Sequence, residues 1–585
     1  MKSDDIAGGI SISRLSWCAA ALLFAVFVYF YALDSQYIPK NGDEYPYTHI
    51  TRMTAESGHM LPLRSGLNQM RNTKPPLLFW QGIASTDWGS DWTLWNLRFP
   101  SVVYTLLTAM LALVLAWRLS GRVETGVVAA LAFLGFFSTY RYGRPFLTDP
   151  ALVFWIFLPF FIILQRRPES FNSRLAVPLA AGLSVGVSLL YKSFVLVVPV
   201  CIALAWWYLR ERNYRVRQFL LGDGYKVMLT GALALGVFSL WFLLDPDPAA
   251  IWKEFIVGEN MGKLDPHSAS YLKKLIWGSS SIWSLALDFL ANSGLLIFPV
   301  AALFFLAFRD GKAMPGEKKL LWIWIITLFI VFAIPSQRSG RYLLPAMPAV
   351  AVLLALEWER IGRRIFIAPL VCGGALLAVV TVLSIRLYAH IGGSAAYAAH
   401  YWLLLAACAV FITSGIFIPR FTRPLAVTVP LLLYLVFASF VRPLDTRMGV
   451  FPLEVSEKMR GRQVWVPCNF RAKDERIRFL LPGADIHSYQ TGLNLDIGRL
   501  SERYPLFAVQ VPILEGTRRS ALDRCPGCVI VGERMDMRTR HKGKELREMF
   551  LGGKLFELLF VREFLVESPL APRDAAERWA SDECR

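Results

Sequence analysis

The chain has 585 residues, of which 55% are hydrophobic and 14% aromatic, with 62 Lys/Arg against 44 Asp/Glu for a net charge of +18. That apolar share exceeds the roughly 45–50% of soluble domains and places the chain among integral membrane proteins. The basic excess does not point to nucleic acid: residues 442–585 carry 25 Lys/Arg and 21 Asp/Glu, so most of it belongs to the apolar part, where charge bias in loops accounts for it.

Thirteen apolar stretches are predicted as helical spans, at 16–33, 99–117, 123–139, 147–164, 175–191, 193–209, 227–244, 286–308, 319–335, 342–357, 365–386, 402–418 and 424–441. A helix needs about 20 mostly apolar residues to cross the hydrocarbon core, because lipid offers its backbone no hydrogen bonds. The first stretch lacks a small-x-small cleavage site, so it reads as an uncleaved anchor.

Clusters such as Arg118/Arg122, Arg210/Arg212/Arg215/Arg217 and Arg360/Arg363/Arg364 fall in alternate short loops, which sets those loops in the cytoplasm. The loops 34–98 and 245–285, and everything after 441, are then expected on the outer side, the periplasm of a bacterial inner membrane. Residues 1–441 form the membrane domain on this reading.

Residues 442–585 are expected to form a small α/β domain. Strands are predicted at Gln463–Pro467, Leu506–Pro512 and Cys528–Gly532, and helical spacing at Glu454–Arg460 and Lys542–Met549. Cys525-Pro-Gly-Cys528 falls in this outer domain, where a short disulfide, an unpaired turn and a redox pair are all open readings. The cysteines within apolar spans, Cys18, Cys201, Cys372 and Cys408, read as small hydrophobes.

Ionisable groups meet the outer face of the bundle in a pattern that suits transfer chemistry. Asp43 and Glu44 follow the first span, and Asp149 opens the fourth. Carboxylates distant in sequence can converge there as a general base and an orienting acid. Lys74, Arg141, Arg144, Lys192, Arg338 and Arg341 lie at the same level. Cations so placed can neutralise a phosphate leaving group as its sugar bond breaks. The bland alternative is that these are interfacial charges whose side chains snorkel to water. The tryptophans, Trp88, Trp92, Trp95, Trp252, Trp277 and Trp283 among them, read as an interfacial belt.

Several segments carry a family resemblance. They are Gly42-Asp43-Glu44-Tyr45, Gly58-His59-Met60-Leu61-Pro62, Thr73-Lys74-Pro75-Pro76-Leu77, Thr148-Asp149-Pro150, Lys192-Ser193, Glu259-Asn260 and Arg341-Tyr342-Leu343-Leu344-Pro345. In this order they resemble the polyprenyl-phosphate-sugar glycosyltransferases of GT-C architecture, the superfamily of the lipid A aminoarabinose transferases and the dolichyl-phosphate-mannose protein mannosyltransferases. The resemblance implies an α-helical polytopic membrane protein of about thirteen transmembrane helices with a small C-terminal α/β periplasmic domain. It implies Asp43, Glu44 and Asp149 as the catalytic carboxylates. Lys74, Lys192, Arg341, Tyr342 and His267 would bind the substrates.

The partners so implied are a polyprenyl-phosphate sugar donor, a lipid, glycan or protein acceptor and the surrounding membrane lipids, without nucleic acid. In the aminoarabinose transferases a glutamate precedes the lysine, where this chain has Thr73. That metal ligand is missing, and His267 alone does not complete a divalent-metal site. A transporter or lipid flippase is the reading from a different class. Against it, the spans show no two-fold internal repeat and no paired Gly/Pro-broken helices.

Overall fold

The computed structural model describes residues 12–38, 42–67, 71–165, 175–263, 271–278, 280–469, 471–490, 496–513, 525, 527–538 and 541–572. A helical bundle makes up the first three quarters of the chain, and a five-stranded sheet with short helices closes it.

Each of the thirteen predicted stretches is occupied by helix. Among the described residues six helices are long and apolar enough to cross a membrane, or eight if each of two bent pairs counts as one span. The remaining apolar helices are shorter, such as α7 (Asp149–Gln165) and α8 (Ala176–Leu189), or more charged at one end, such as Gly316–Ala333. The 123–139 stretch is bent: α5 (Val123–Gly135) and α6 (Phe137–Gly143) meet at 64°, breaking at Phe136.

The first loop is mostly helical. α1 (Ile12–Phe30) leads into α2 (Glu44–Glu56), then α3 (Leu77–Ser85), then the long α4 (Leu94–Ser120). Thr93 caps α4 by accepting from the Asn96 amide at 3.1 Å, and Gly121 ends it at φ 72°, a left-handed turn that glycine adopts without a Cβ clash.

This end of the bundle is held by a buried ion pair. Arg98 of α4 donates to both Glu44 carboxylate oxygens at 2.7 Å and to the carbonyls of Leu33 and Ser35 at 2.8 and 2.6 Å, while Glu44 also accepts from the Phe146 amide at 2.9 Å. Every strong partner is satisfied, which is the condition under which a buried charge pair is tolerated.

Arg144 is likewise structural. It is buried against α1, donating to the carbonyls of Tyr29 and Tyr31 and to the Tyr140 hydroxyl.

The C-terminal sheet runs β2-β1-β3-β5-β4, from β1 (Gln463–Cys468), β2 (Asp485–Gln490), β3 (Leu506–Pro512), β4 (Val529–Met537) and β5 (Phe560–Glu567). β2, β1 and β3 are parallel neighbours, and β3, β5 and β4 are antiparallel. One apolar cluster packs Val464, Val466, Ile477 and Ile486, and another packs Trp465, Tyr504, Phe507 and Phe564. Cys525 and Cys528 are joined by a disulfide beside the second cluster.

The helix Lys473–Leu480 docks the sheet domain onto the bundle. Its sequence is mostly charged, yet Asp474, Glu475, Arg476 and Ile477 are all buried. Glu475 accepts from His49 Nδ1 at 2.8 Å and from Arg52 Nη2 at 2.5 Å, both residues of α2. Arg476 donates to Asp536 at 2.6 Å and to the Gln36 side chain at 3.1 Å. Tyr45, Leu67 and Ala472 add an apolar contact along the same seam.

Candidate functional site

At this end of the bundle a cavity of about 780 Å³ opens between the first loop, the 245–263 segment and the helix ends near 192 and 341. Its polar wall includes Asp43, Lys74, Lys192, Glu259, Arg341, Tyr342 and Arg471, and its apolar wall includes Val195, Val198, Val331 and Ile334. Four cationic side chains face two carboxylates, so the cavity favours an anionic ligand with an apolar body.

Asp43 stands at the N-cap of α2, but its side chain makes no capping bond. Aspartate at that position ordinarily bonds the amides of the first turn. Here the carboxylate instead pairs with Arg341 Nη1 and remains 49% exposed to the cavity. Glu44 follows one residue later, about 100° round the helix, and therefore points inward to Arg98 rather than into the cavity. The geometry sets Glu44, expected among the catalytic carboxylates, apart from the cavity: its side chain is 2% exposed, and both oxygens are engaged by Arg98 and the Phe146 amide.

Asp149 begins α7 beneath the cavity floor, with its side chain 2% exposed. Lys192 Nζ donates to its Oδ1 at 2.6 Å, and Arg341 donates to Oδ2 from Nε at 2.9 Å and from Nη2 at 2.6 Å. The two cations are thereby fixed about one buried counter-charge, and Arg341 bridges it to Asp43. Both Asp149 oxygens are thus engaged by these two cations.

Backbone breaks present the cations. α8 ends before Lys192, Ser193 caps a short turn at 194–196, and its hydroxyl donates to Asn260 Oδ1 at 2.9 Å. Arg341 and Tyr342 lie on the 3-10 turn Gly340–Ala346. A Cβ on Gly340 would stand 2.6 Å from Asp288 Cβ, so only glycine lets this turn approach its neighbour so closely. The Arg341 guanidinium lies over the Tyr142 ring at 5.1 Å, and Lys192 lies over the Tyr342 ring at 5.6 Å.

Lys74 sits 3.5 Å from Glu259 and donates to the Thr73 carbonyl at 2.7 Å. Glu259 and Asn260 come from a π-helix, Trp252–Asn260, a geometry frequent at functional sites. The Asn72 amide donates to Glu254 of that helix at 3.0 Å, tying the two loops together.

Thus Asp43, Lys74, Lys192, Arg341 and Tyr342 meet around one cavity, with Asp149 directly below. Arg141 lies instead against the rings of Phe137 and Tyr142, and Arg338 is spent on the carbonyls of Ala333 and Ser280, each at 2.6 Å. His267 lies outside the described residues.

Two residues went unread in the sequence. Arg98 carried a signal, an arginine directly before the apolar 99–117 stretch, which demands a partner when buried. Arg471 carried none, because it belongs to a distant and generally charged segment.

Among the described residues, His49, Asp474 and Glu475 form the one histidine-carboxylate group with metal-like spacing. It lies in the seam between α2 and the sheet domain and does not fit a metal ion. His49 Nε2 accepts from the Gly66 amide at 3.0 Å, so Nδ1 carries the proton it donates to Glu475 and no ring lone pair remains free. Arg52 already supplies the positive charge there.

A family model described as Dolichyl-phosphate-mannose-protein mannosyltransferase matches residues 16–254. The chain is 28% identical over 346 residues to undecaprenyl phosphate-alpha-4-amino-4-deoxy-L-arabinose arabinosyl transferase 1 of Sodalis glossinidius, a match covering 58% of each chain. It is 26% identical over 366 residues to the corresponding transferase of Yersinia enterocolitica, covering 62% of each. The chain therefore spans about three fifths of the length of these curated relatives. In fold it is similar to the crystal structure of ArnT from Cupriavidus metallidurans bound to undecaprenyl phosphate, with TM-score 0.62 and 17% identity over 96% of this chain and 100% of that one. The apo structure of the same protein superposes with TM-score 0.63.

Proposed function

We propose that this protein is a membrane glycosyltransferase that moves a sugar from a polyprenyl-phosphate donor, of the undecaprenyl-phosphate kind, to a cell-envelope acceptor at the outer face of the bacterial inner membrane. The observation that carries the reading is the half-exposed Asp43 carboxylate beside Arg341, in a cavity that joins Lys74 and Lys192 to an apolar wall. The relatives named for undecaprenyl-phosphate aminoarabinose transfer, and a fold shared with a protein crystallised with undecaprenyl phosphate, support it.

In this mechanism the prenyl chain lies along Val195, Val198, Val331 and Ile334, and the phosphate lies against Lys74, Lys192 and Arg341. The acceptor oxygen forms a bond to the anomeric carbon as the bond from that carbon to the phosphate oxygen breaks. The electron pair stays with the polyprenyl phosphate, where the fixed cations stabilise the charge that develops. Asp43 takes the acceptor's proton where the acceptor carries one, and its negative charge stabilises an oxocarbenium-like sugar. Asp149 keeps Arg341 and Lys192 from repelling each other and holds them in place before the substrate arrives. Glu44 and Arg98 act on the scaffold alone.

The test is release of free undecaprenyl phosphate from undecaprenyl-phosphate sugars by purified protein in liposomes, with an envelope-lipid extract as acceptor. Release together with a labelled acceptor is expected. Movement of intact donor across the bilayer without release would overturn the reading in favour of a flippase.

A further inference from the structure

One wall of the cavity comes from outside the membrane bundle. Arg471 lies in the turn between β1 and the helix Lys473–Leu480, lines the cavity with Asp43, and places Nη1 4.0 Å from where a Cβ on Gly42 would stand. It lies more than 400 residues away in sequence from Asp43, with which it shares the cavity.

The fold holds this arginine in position by several independent means. Its amide donates to Asn469 Oδ1 at 2.9 Å. Ala472, next in the chain, has φ 46° and ψ 54°, a left-handed conformation that costs a non-glycine residue on the order of 1 kcal/mol. That turn sends the chain straight into the buried helix whose Glu475 is clasped by His49 and Arg52 of α2, the same helix that Asp43 heads. Ala472 itself packs on Tyr45 and Leu67. The domain is thus pinned to the short stretch of chain that carries Asp43, and Arg471 is the cationic side chain this pinning delivers to the cavity.

Its approach differs from that of the other cations. Lys74, Lys192 and Arg341 come from the bundle and its loops, as do Val195, Val198, Val331 and Ile334, along which the proposed mechanism lays the lipid tail. Arg471 enters from the sheet domain and is exposed. In a displacement at the anomeric carbon, the attacking oxygen and the departing phosphate take different sides of the sugar. An arginine fork suits paired oxygens of an acidic group.

We propose that Arg471 is a specificity-determining residue that contacts the acceptor and selects acceptors with an anionic oxygen close to the attacking atom, so that the sheet domain forms part of the active site. The proposal rests on the glycosyl-transfer reading above.

Full-length wild type, Arg471→Ala and Arg471→Lys would be compared in nanodiscs, with a phosphorylated glycolipid and its dephosphorylated counterpart as acceptor probes. Arg471→Ala is expected to raise the KM for the phosphorylated probe at least tenfold, to leave the donor KM within twofold, and to erase the preference for the phosphorylated probe. Arg471→Lys should restore part of that preference, which a purely structural role would not produce. Equilibrium binding of the phosphorylated probe, measured alongside, should weaken about tenfold in Arg471→Ala. Unchanged probe binding and an unchanged preference in Arg471→Ala would overturn the proposal while leaving glycosyl transfer intact. Wild type that binds the probe through Arg471 but releases no polyprenyl phosphate would instead overturn the transfer reading, and with it the arginine's part in acceptor choice, leaving only an anion contact at Arg471.

Discussion

Replacing Glu475 with glutamine should loosen the sheet domain from the bundle without unfolding either. The Glu475 side chain is 1% exposed and accepts from His49 Nδ1 at 2.8 Å and from Arg52 Nε at 3.1 and 3.2 Å and Nη2 at 2.5 Å. Burial alone pushes its carboxyl up, but the His49 hydrogen bond and the Arg52 charge outweigh that and hold it down from 4.5 to about 2. A depression of that size corresponds to a contribution of about 3 kcal/mol. Removing one member of a buried pair costs roughly 3–5 kcal/mol, and Arg52 keeps Glu56 as a second partner at 2.7 Å, so the lower figure applies.

Three kilocalories per mole raises the open population about 100-fold. Amide hydrogen exchange of residues 44–56 and 473–480 in Glu475→Gln should therefore quicken by about that factor at pH 7. The folded carboxyl lies below its unfolded value, so its contribution is complete above pH 4.5 and is lost as the pH falls toward 2. Asp474 acts in the opposite sense. Burial first and Glu475 second push its carboxyl up, so its penalty at neutral pH is relieved on acidification. Wild-type protection should then hold or rise from pH 7 to 4.5 and fall below that, while Glu475→Gln should show no such fall. Equal protection of wild type and variant at pH 7 would refute the clasp.

Asp149→Asn removes the counter-charge shared by Arg341 and Lys192 and turns an amide donor toward one of them; kcat/KM should fall at least about 100-fold, with the folded state detectable by size-exclusion chromatography. Glu44→Gln leaves Arg98 buried and uncompensated at a cost of about 3–5 kcal/mol, so it should reduce the yield of folded protein and lower thermal stability rather than act on turnover alone. Lys74→Ala should weaken donor binding about tenfold or more in a titration with undecaprenyl phosphate, and unchanged affinity would show that Lys74 faces away from the phosphate.

How far the sequence foretold this site depends on whether local rules or tertiary placement decide each residue. Apolar runs located the helices of the bundle because lipid and the bundle core both exclude polar side chains. Breaks at Phe136 and near Ser293 bend segments that read as continuous, and no apolar run announces them.

β1, β3 and part of β4 announced themselves as apolar runs. β2, Asp-Ile-His-Ser-Tyr-Gln, lies at the edge of the sheet and has no such run. β5 hides Arg562 and Glu563 among its apolar residues, and these charges pair with Glu533 and Arg534 of β4.

In the site, Asp43, Lys74, Lys192, Arg341 and Tyr342 could be selected from residue type and loop position, and they share the cavity. Glu44 could not be separated from Asp43 until the helix phase of α2 was known. Arg471 reaches the cavity only because a buried charged helix docks where composition suggests solvent.

The most direct test of the central claim is turnover by Asp43→Asn, with donor binding measured on the same preparation. The substitution keeps size and shape, removes the charge beside Arg341 and removes the base. Loss of undecaprenyl phosphate release by a factor of about 1,000 or more, with undecaprenyl phosphate still bound, is the result this account predicts. Release at the wild-type rate would contradict it and move the chemistry away from Asp43.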